Sequence, residues 1–109
     1  MYQIFISRHF KKQLKPYAKK YDGLLLEVLG QLRSFHKDGA THIGKRLYKI
    51  RIAGRHQGKR SFMRLILYIY EERNMMMPIT IYSKNRFTTL SKQKLIFHFD
   101  KVMEELERD

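Results

Sequence analysis

Cysteine is absent from the 109 residues, which removes disulfides, thiol catalysis and zinc-thiolate sites together and fits a reducing compartment. Acidic residues are scarce: 10 Asp and Glu stand against 23 Lys and Arg, a formal charge of +13. A charge of this size opposes compaction and draws the chain toward polyanions, so nucleic acid, an anionic membrane surface or an acidic protein are the partners to weigh. The apolar start of the chain stops well short of the roughly 20 residues needed to span a membrane. In MYQIFISRHFKK the apolar residues also precede the charges, opposite to a signal peptide. A cytoplasmic location without a membrane partner is expected.

Other absences narrow the chemistry. The histidines at 9, 36, 42, 56 and 98 show no metal-ligand spacing. No carboxylate pair lies among the charged strand positions, and Glu71 and Glu72 fall at a strand end. A hydrolase using a glutamate base or two metals is therefore not supported. The run Gly54 to Lys59 is one residue short of a phosphate-binding loop, and Arg60 replaces the Ser or Thr that would hold magnesium. No metal and no cofactor are expected.

What is present is a foldable chain. Hydrophobic residues make up 43%, and the length suits one domain, residues 1–109. Tyr2 to Ile6 reads as a short strand, and Ser7 as the N-cap of a helix carrying Phe10, Leu14, Tyr17 and Tyr21 on one face. Pro16 should kink or split that helix. Asp22 is the expected cap of a second helix, with an apolar stripe of Leu25, Val28, Leu29, Leu32 and His36 running to Lys37-Asp38-Gly39. Gly39 to Gly44 has turn chemistry without periodicity and reads as a loop, and Met75-Met76-Met77 sits at a turn. Strands are expected over Lys45 to Ala53, Ser61 to Glu71 and Met77 to Ser83, and a last helix over Ser91 to Arg108, capped by Ser91. The order β-α-α-β-β-β-α predicts an α+β fold: a mainly antiparallel sheet with a helical hairpin on one face and a C-terminal helix.

Strand alternation then sorts the charges. Tyr48, Ile50 and Ile52 point to the core while Leu47, Lys49 and Arg51 point away. Met63, Leu65, Leu67 and Ile69 form an aliphatic set opposite Phe62, Arg64, Ile66, Tyr68 and Tyr70; Ile79 and Ile81 oppose Thr80, Tyr82 and Lys84. Placing the aliphatic sets under the helical hairpin leaves Lys49, Arg51, Arg64, Tyr82 and Lys84 on the other face. Cations interleaved with tyrosines suit nucleic acid, since Lys and Arg neutralise phosphate and rings stack on unpaired bases. The turn Arg55-His56-Gln57-Gly58-Lys59-Arg60 adds a basic finger.

With these residues laid out, the chain resembles the RelE/ParE superfamily of bacterial toxin-antitoxin toxins, particularly the RelE and HigB-like ribonucleases. LKPYAKKYD is similar to the first-helix segment, LYKIRIAG and GKRSFMRLILYIYEE to the central hairpin, and ITIYSKNRFTTLSKQKL to the last strand and following helix. The resemblance implies a toxin that cuts mRNA in the ribosomal decoding site without a metal and is held inactive by an antitoxin. By position, Lys49, Arg51, Arg64 and Lys84 match the catalytic cations. Arg55, Lys59, Arg60, Tyr82 and Arg86 are the implied RNA contacts. The chain departs from the pattern where Asn85 follows Lys84, Arg86 comes one place late, and Leu90-Ser91 stands in place of a tyrosine. Tyr82 and Arg86 are the substitutes for the general acid. Two other readings stay open: a gyrase-directed toxin on the same fold, and a non-catalytic RNA- or ribosome-binding module.

Overall fold

Ser7 does begin the first helix, because its hydroxyl oxygen accepts the orphan N–H of Phe10 at 2.9 Å. In the computed structural model, which describes residues 2–53, 61–83 and 90–108, that helix, α1, covers Arg8–Lys20 after the short strand β1, Gln3–Ile4. Pro16 lies inside α1 without splitting it. Pro16 and Lys12 are both exposed, so water can take the Lys12 carbonyl that proline cannot bond.

The second helix, α2 (Leu24–Arg33), is capped by Gly23 and not by Asp22. The tight turn from α1 needs a left-handed residue, and Gly23 adopts φ 75° without the Cβ penalty. Its buried face is Leu24, Val28 and Leu32, while Leu25 is 46% exposed. The leucine run at 24 to 26 allows two helical registers by periodicity, and docking on the sheet selects the one that begins at Leu24. A 3-10 turn, Lys37–Gly39, leads into β2, Thr41–Gly44, which corrects the loop reading. All four residues of β2 are exposed, so no apolar alternation marks it; backbone pairing of Thr41 with Lys49 and His42 with Tyr48 makes it a strand.

Three longer strands follow: β3 (Leu47–Ala53), β4 (Ser61–Tyr70) and β5 (Met75–Ser83). The turn before β5 is made by Glu71–Arg73 and the left-handed Asn74, so the methionines expected at a turn lie within the strand. The sheet order is β1-β5-β4-β3-β2, parallel at β1/β5 and antiparallel elsewhere. The final helix, α3, covers Lys92–Arg108; Ser91 caps it by accepting the Lys94 N–H at 3.2 Å.

Two cores sandwich the sheet. Phe10, Leu14, Val28 and Leu32 pack against Ile52, Leu65 and Leu67 on one side, and Val102 and Leu106 of α3 pack with Ile66, Met77 and Tyr82 on the other. Covered on both faces, β5 is buried from Met75 through Tyr82. The pairing shifts between Ile66 with Thr80 and Leu67 with Pro78, leaving Ile79 as a bulge. This corrects the expected alternation: Ile81 joins the hairpin core while Ile79 joins the α3 core. Gln13 of α1 fastens the bulge, donating to the Ile79 carbonyl at 3.0 Å and accepting from the Thr80 hydroxyl.

Polar contacts tie α3 to the start of α1. Glu105 accepts the N–H groups of Arg8 at 2.7 Å and His9 at 2.9 Å, and His9 Nε2 meets His98 Nδ1 at 2.8 Å. Burial holds the His9 pKa below the ordinary histidine value, opposed by Glu105 and reinforced by Lys101 and Lys12. Burial, then His9 and Lys94, lowers that of His98. The unfolded chain therefore takes up protons first on acidification: the pair's contribution is complete above about pH 6.5 and is lost as pH falls through that value toward the lowered folded ones. Glu105 adds the same trend at lower pH: burial raises its pKa, but the amide donors of Arg8 and His9 together with the charges of those two residues outweigh it and hold the carboxyl below the usual range. The urea midpoint is expected to drop between about pH 7.5 and about pH 5.5, with a smaller drop in His98→Gln. Equal drops in both proteins would remove the histidine pair as the cause.

Candidate nucleic-acid interface

The cations come together through register. Arg51 of β3 pairs with Arg64 of β4, which pairs with Tyr82 of β5; the next outward row is Lys49, Ile66, Thr80. Partners in neighbouring strands share a face about 4.8 Å apart, and residues two apart on one strand lie about 7 Å apart. Lys49, Arg51 and Arg64 thus form one cationic group on the face opposite the helical hairpin. Arg51 is exposed, and Lys49 and Arg64 are half-buried. Arg64 Nη1 donates to the Met63 carbonyl at 3.2 Å, which orients the guanidinium along its own strand.

A directly opposed Arg–Arg pair opposes sheet formation. Glu71 pairs with Lys37 at 2.9 Å and also accepts from the Tyr2 hydroxyl at 2.7 Å, and Glu72 pairs with Arg46, all beyond the far end of β4. The arrangement suits an anion that bridges strands, as a phosphate does.

Tyr82 is only 4% exposed and belongs to the α3 core. Burial raises its phenol pKa, with Arg64 acting the other way, so the hydroxyl stays protonated and able to donate at neutral pH. Its ring offers no free face for a base while α3 is seated. The remaining expected contacts, Arg55, Lys59, Arg60, Lys84 and Arg86, lie outside the described residues.

Two hollows flank the group, and Lys49 lines both. One is an apolar groove of 1170 Å³ between α3 and the sheet, with Tyr68, Leu95, Ile96 and Phe99 inside and Lys45 and Lys92 among its residues. The other is a 550 Å³ pocket with polar lining, from Gln31 of α2, Ser34 at the C-cap of that helix, Asp38 of the 3-10 turn and Thr41 of β2. Sequence reasoning missed the second, since no spacing links residues drawn from separate elements. Among the described residues no three His, Asp or Glu side chains cluster as metal ligands would. No described helix is long and apolar enough to cross a membrane.

The sequence matches no protein-family model and no curated protein. Among solved structures, a mutant of the E. coli toxin RelE in the free state superposes with a TM-score of 0.51 at 12% identity, covering 95% of this chain and 96% of that one. A metal-bound toxin from Helicobacter pylori gives 0.44 at 21% identity, covering 80% and 99%. At such identity the likeness is one of architecture: the sheet that carries Lys49, Arg51 and Arg64, with its helical hairpin and α3, forms a RelE-like fold.

Proposed function

We propose that residues 1–109 form the toxin of a type II toxin-antitoxin system, an endoribonuclease that cuts translated mRNA on cytoplasmic ribosomes. The observation that carries this reading is the cross-strand Arg51–Arg64 pair with Lys49 beside it, on the α3 side of a RelE-like sheet. In the reaction, the 2′-oxygen attacks the adjacent phosphorus and loses its proton to water. The bond from phosphorus to the 5′-oxygen breaks, leaving a 2′,3′-cyclic phosphate and a 5′-hydroxyl that gains a proton. Negative charge concentrates on the phosphorane oxygens, where Arg64 stabilises it, while Lys49 and Arg51 hold the flanking phosphates. Lys84 joins this group on the strength of the sequence resemblance, and Tyr82, protonated beside Arg64, is a donor for the leaving oxygen. An antitoxin silences the protein by covering the cationic face.

Primer extension on a translated mRNA, with and without ribosomes, tests the proposal. New 5′ ends that appear only with ribosomes are expected. Growth arrest by the wild-type protein with no new ends would reject the nuclease and favour an action on gyrase or simple occupancy of the ribosome.

A further inference from the structure

The strand β2 stops short of its neighbour. Its pairing with β3 ends at Thr41 opposite Lys49, so among the described residues no strand borders the outer side of β3 beyond that point. The polar pocket occupies this gap, floored by Ile50 and Arg51 of β3 and walled by the end of α2. Its 550 Å³ falls within the range of small-ligand sites.

The side chains around it carry a directional set of hydrogen-bonding groups. The Ser34 hydroxyl donates to the Gly30 carbonyl at 2.9 Å, so toward the pocket it can only accept. The amide of Gln31 and the hydroxyl of Thr41 donate and accept. Phe35, half-buried and set edge to face against Tyr48 with centroids 5.7 Å apart, supplies an aromatic wall. Asp38 is the unexpected member: an exposed carboxylate with no ion pair among the described residues, in a chain of +13. It repels the phosphates that Lys49 and Arg51 attract, so simple electrostatic affinity does not account for its place beside them.

From this we infer that the pocket reads one base of the RNA strand held by Lys49 and Arg51, that guanine is its preferred ligand, and that Asp38 selects it. An ionised carboxylate only accepts hydrogen bonds. Guanine alone presents two adjacent donors on its pairing edge, N1–H and the N2 amino group, which match the two carboxylate oxygens. Uracil offers one donor between two acceptors; adenine and cytosine set a ring acceptor beside their amino group, and each acceptor repels Asp38. Phosphates on Lys49 and Arg51 place an adjoining base at the pocket mouth, since both residues line it. The inference rests on the reading of the cationic group as an RNA site, and it adds a sequence preference to that reading.

The test uses fluorescently labelled 2′-O-methyl hexanucleotides, uncleavable and identical except for A, C, G or U at one central position, titrated against the full chain by anisotropy. The wild type is expected to bind the guanine oligonucleotide about tenfold tighter than the others, as a two-bond base contact would give. Asp38→Asn is expected to abolish that preference while tightening the other three through lost repulsion, and Arg51→Ala to weaken all four alike. A wild type without preference, or an Asp38→Asn protein that keeps it, overturns the inference. Cleavage-site mapping separates the two claims. Guanine preference without any cleavage leaves the pocket standing and removes the nuclease; cleavage without an Asp38-dependent preference does the reverse.

Discussion

Replacing Arg64 by alanine is expected to slow RNA cleavage by on the order of a hundredfold or more, the scale seen when one preorganised donor to a developing oxyanion is removed. The phosphorane carries more charge than the ground-state phosphodiester, so a guanidinium fixed at that point contributes most in the transition state. The loss should therefore fall on kcat, with KM nearly unchanged. Arg51→Ala provides the contrast: a phosphate-positioning cation contributes to both states, so its loss appears chiefly in KM and in a shallower salt dependence of binding. Folding should not suffer in Arg64→Ala. Truncation gives up the bond to the Met63 carbonyl but also relieves the like charge of Arg51 across the ladder, so stability should change by no more than about 1 kcal/mol. Single-turnover cleavage and a thermal melt measured on the same preparation check both halves. A rate within a few-fold of wild type would take the transition-state role away from Arg64.

The largest effect on stability should come from Phe10→Ala, at about 3 to 5 kcal/mol. Phe10 is fully buried among α1, α2 and the sheet, so truncation leaves a cavity that rigid neighbours on three sides cannot close. It also lies one turn from every contact that anchors the start of α1: the Ser7 cap on its own N–H, the Glu105 bonds to Arg8 and His9, and the His9–His98 contact. Loosening there should propagate to the seating of α3. Small domains have only about 5 to 15 kcal/mol in hand, so the variant should be partly unfolded at body temperature yet fold in the cold. Urea unfolding should show a lower midpoint at unchanged slope. Leu26→Ala is the control: Leu26 is 71% exposed, and its truncation should cost no more than about 0.5 kcal/mol. Similar midpoints for the two variants would contradict the assignment of the core.

Much of this was legible from residue order. The caps at Ser7 and Ser91 were, because capping acts within one turn of chain. So was the separation of Lys49 and Arg51 from Tyr48, Ile50 and Ile52, since alternation along a strand follows from backbone geometry alone. The apolar spacing of Leu95, Phe99, Val102 and Leu106 gave α3 its buried face before any partner was known.

Tertiary structure decided features whose cause lies far along the chain. β2 is a strand because β3 offers it backbone partners, and an exposed ribbon needs no apolar pattern to be paired. The Ile79 bulge sends that side chain to the α3 core, at a point where Gln13, 66 residues away, takes up the freed backbone carbonyl. Three leucines in a row cannot state which one docks; the sheet beneath α2 chose Leu24. The same holds for function. Periodicity could place cations on one face, but only register could set Arg51 against Arg64, and only the early end of β2 could open a pocket holding Asp38 beside them. Local chain geometry is written in neighbouring residues, whereas pairing partners and gaps between elements are properties of the assembled backbone.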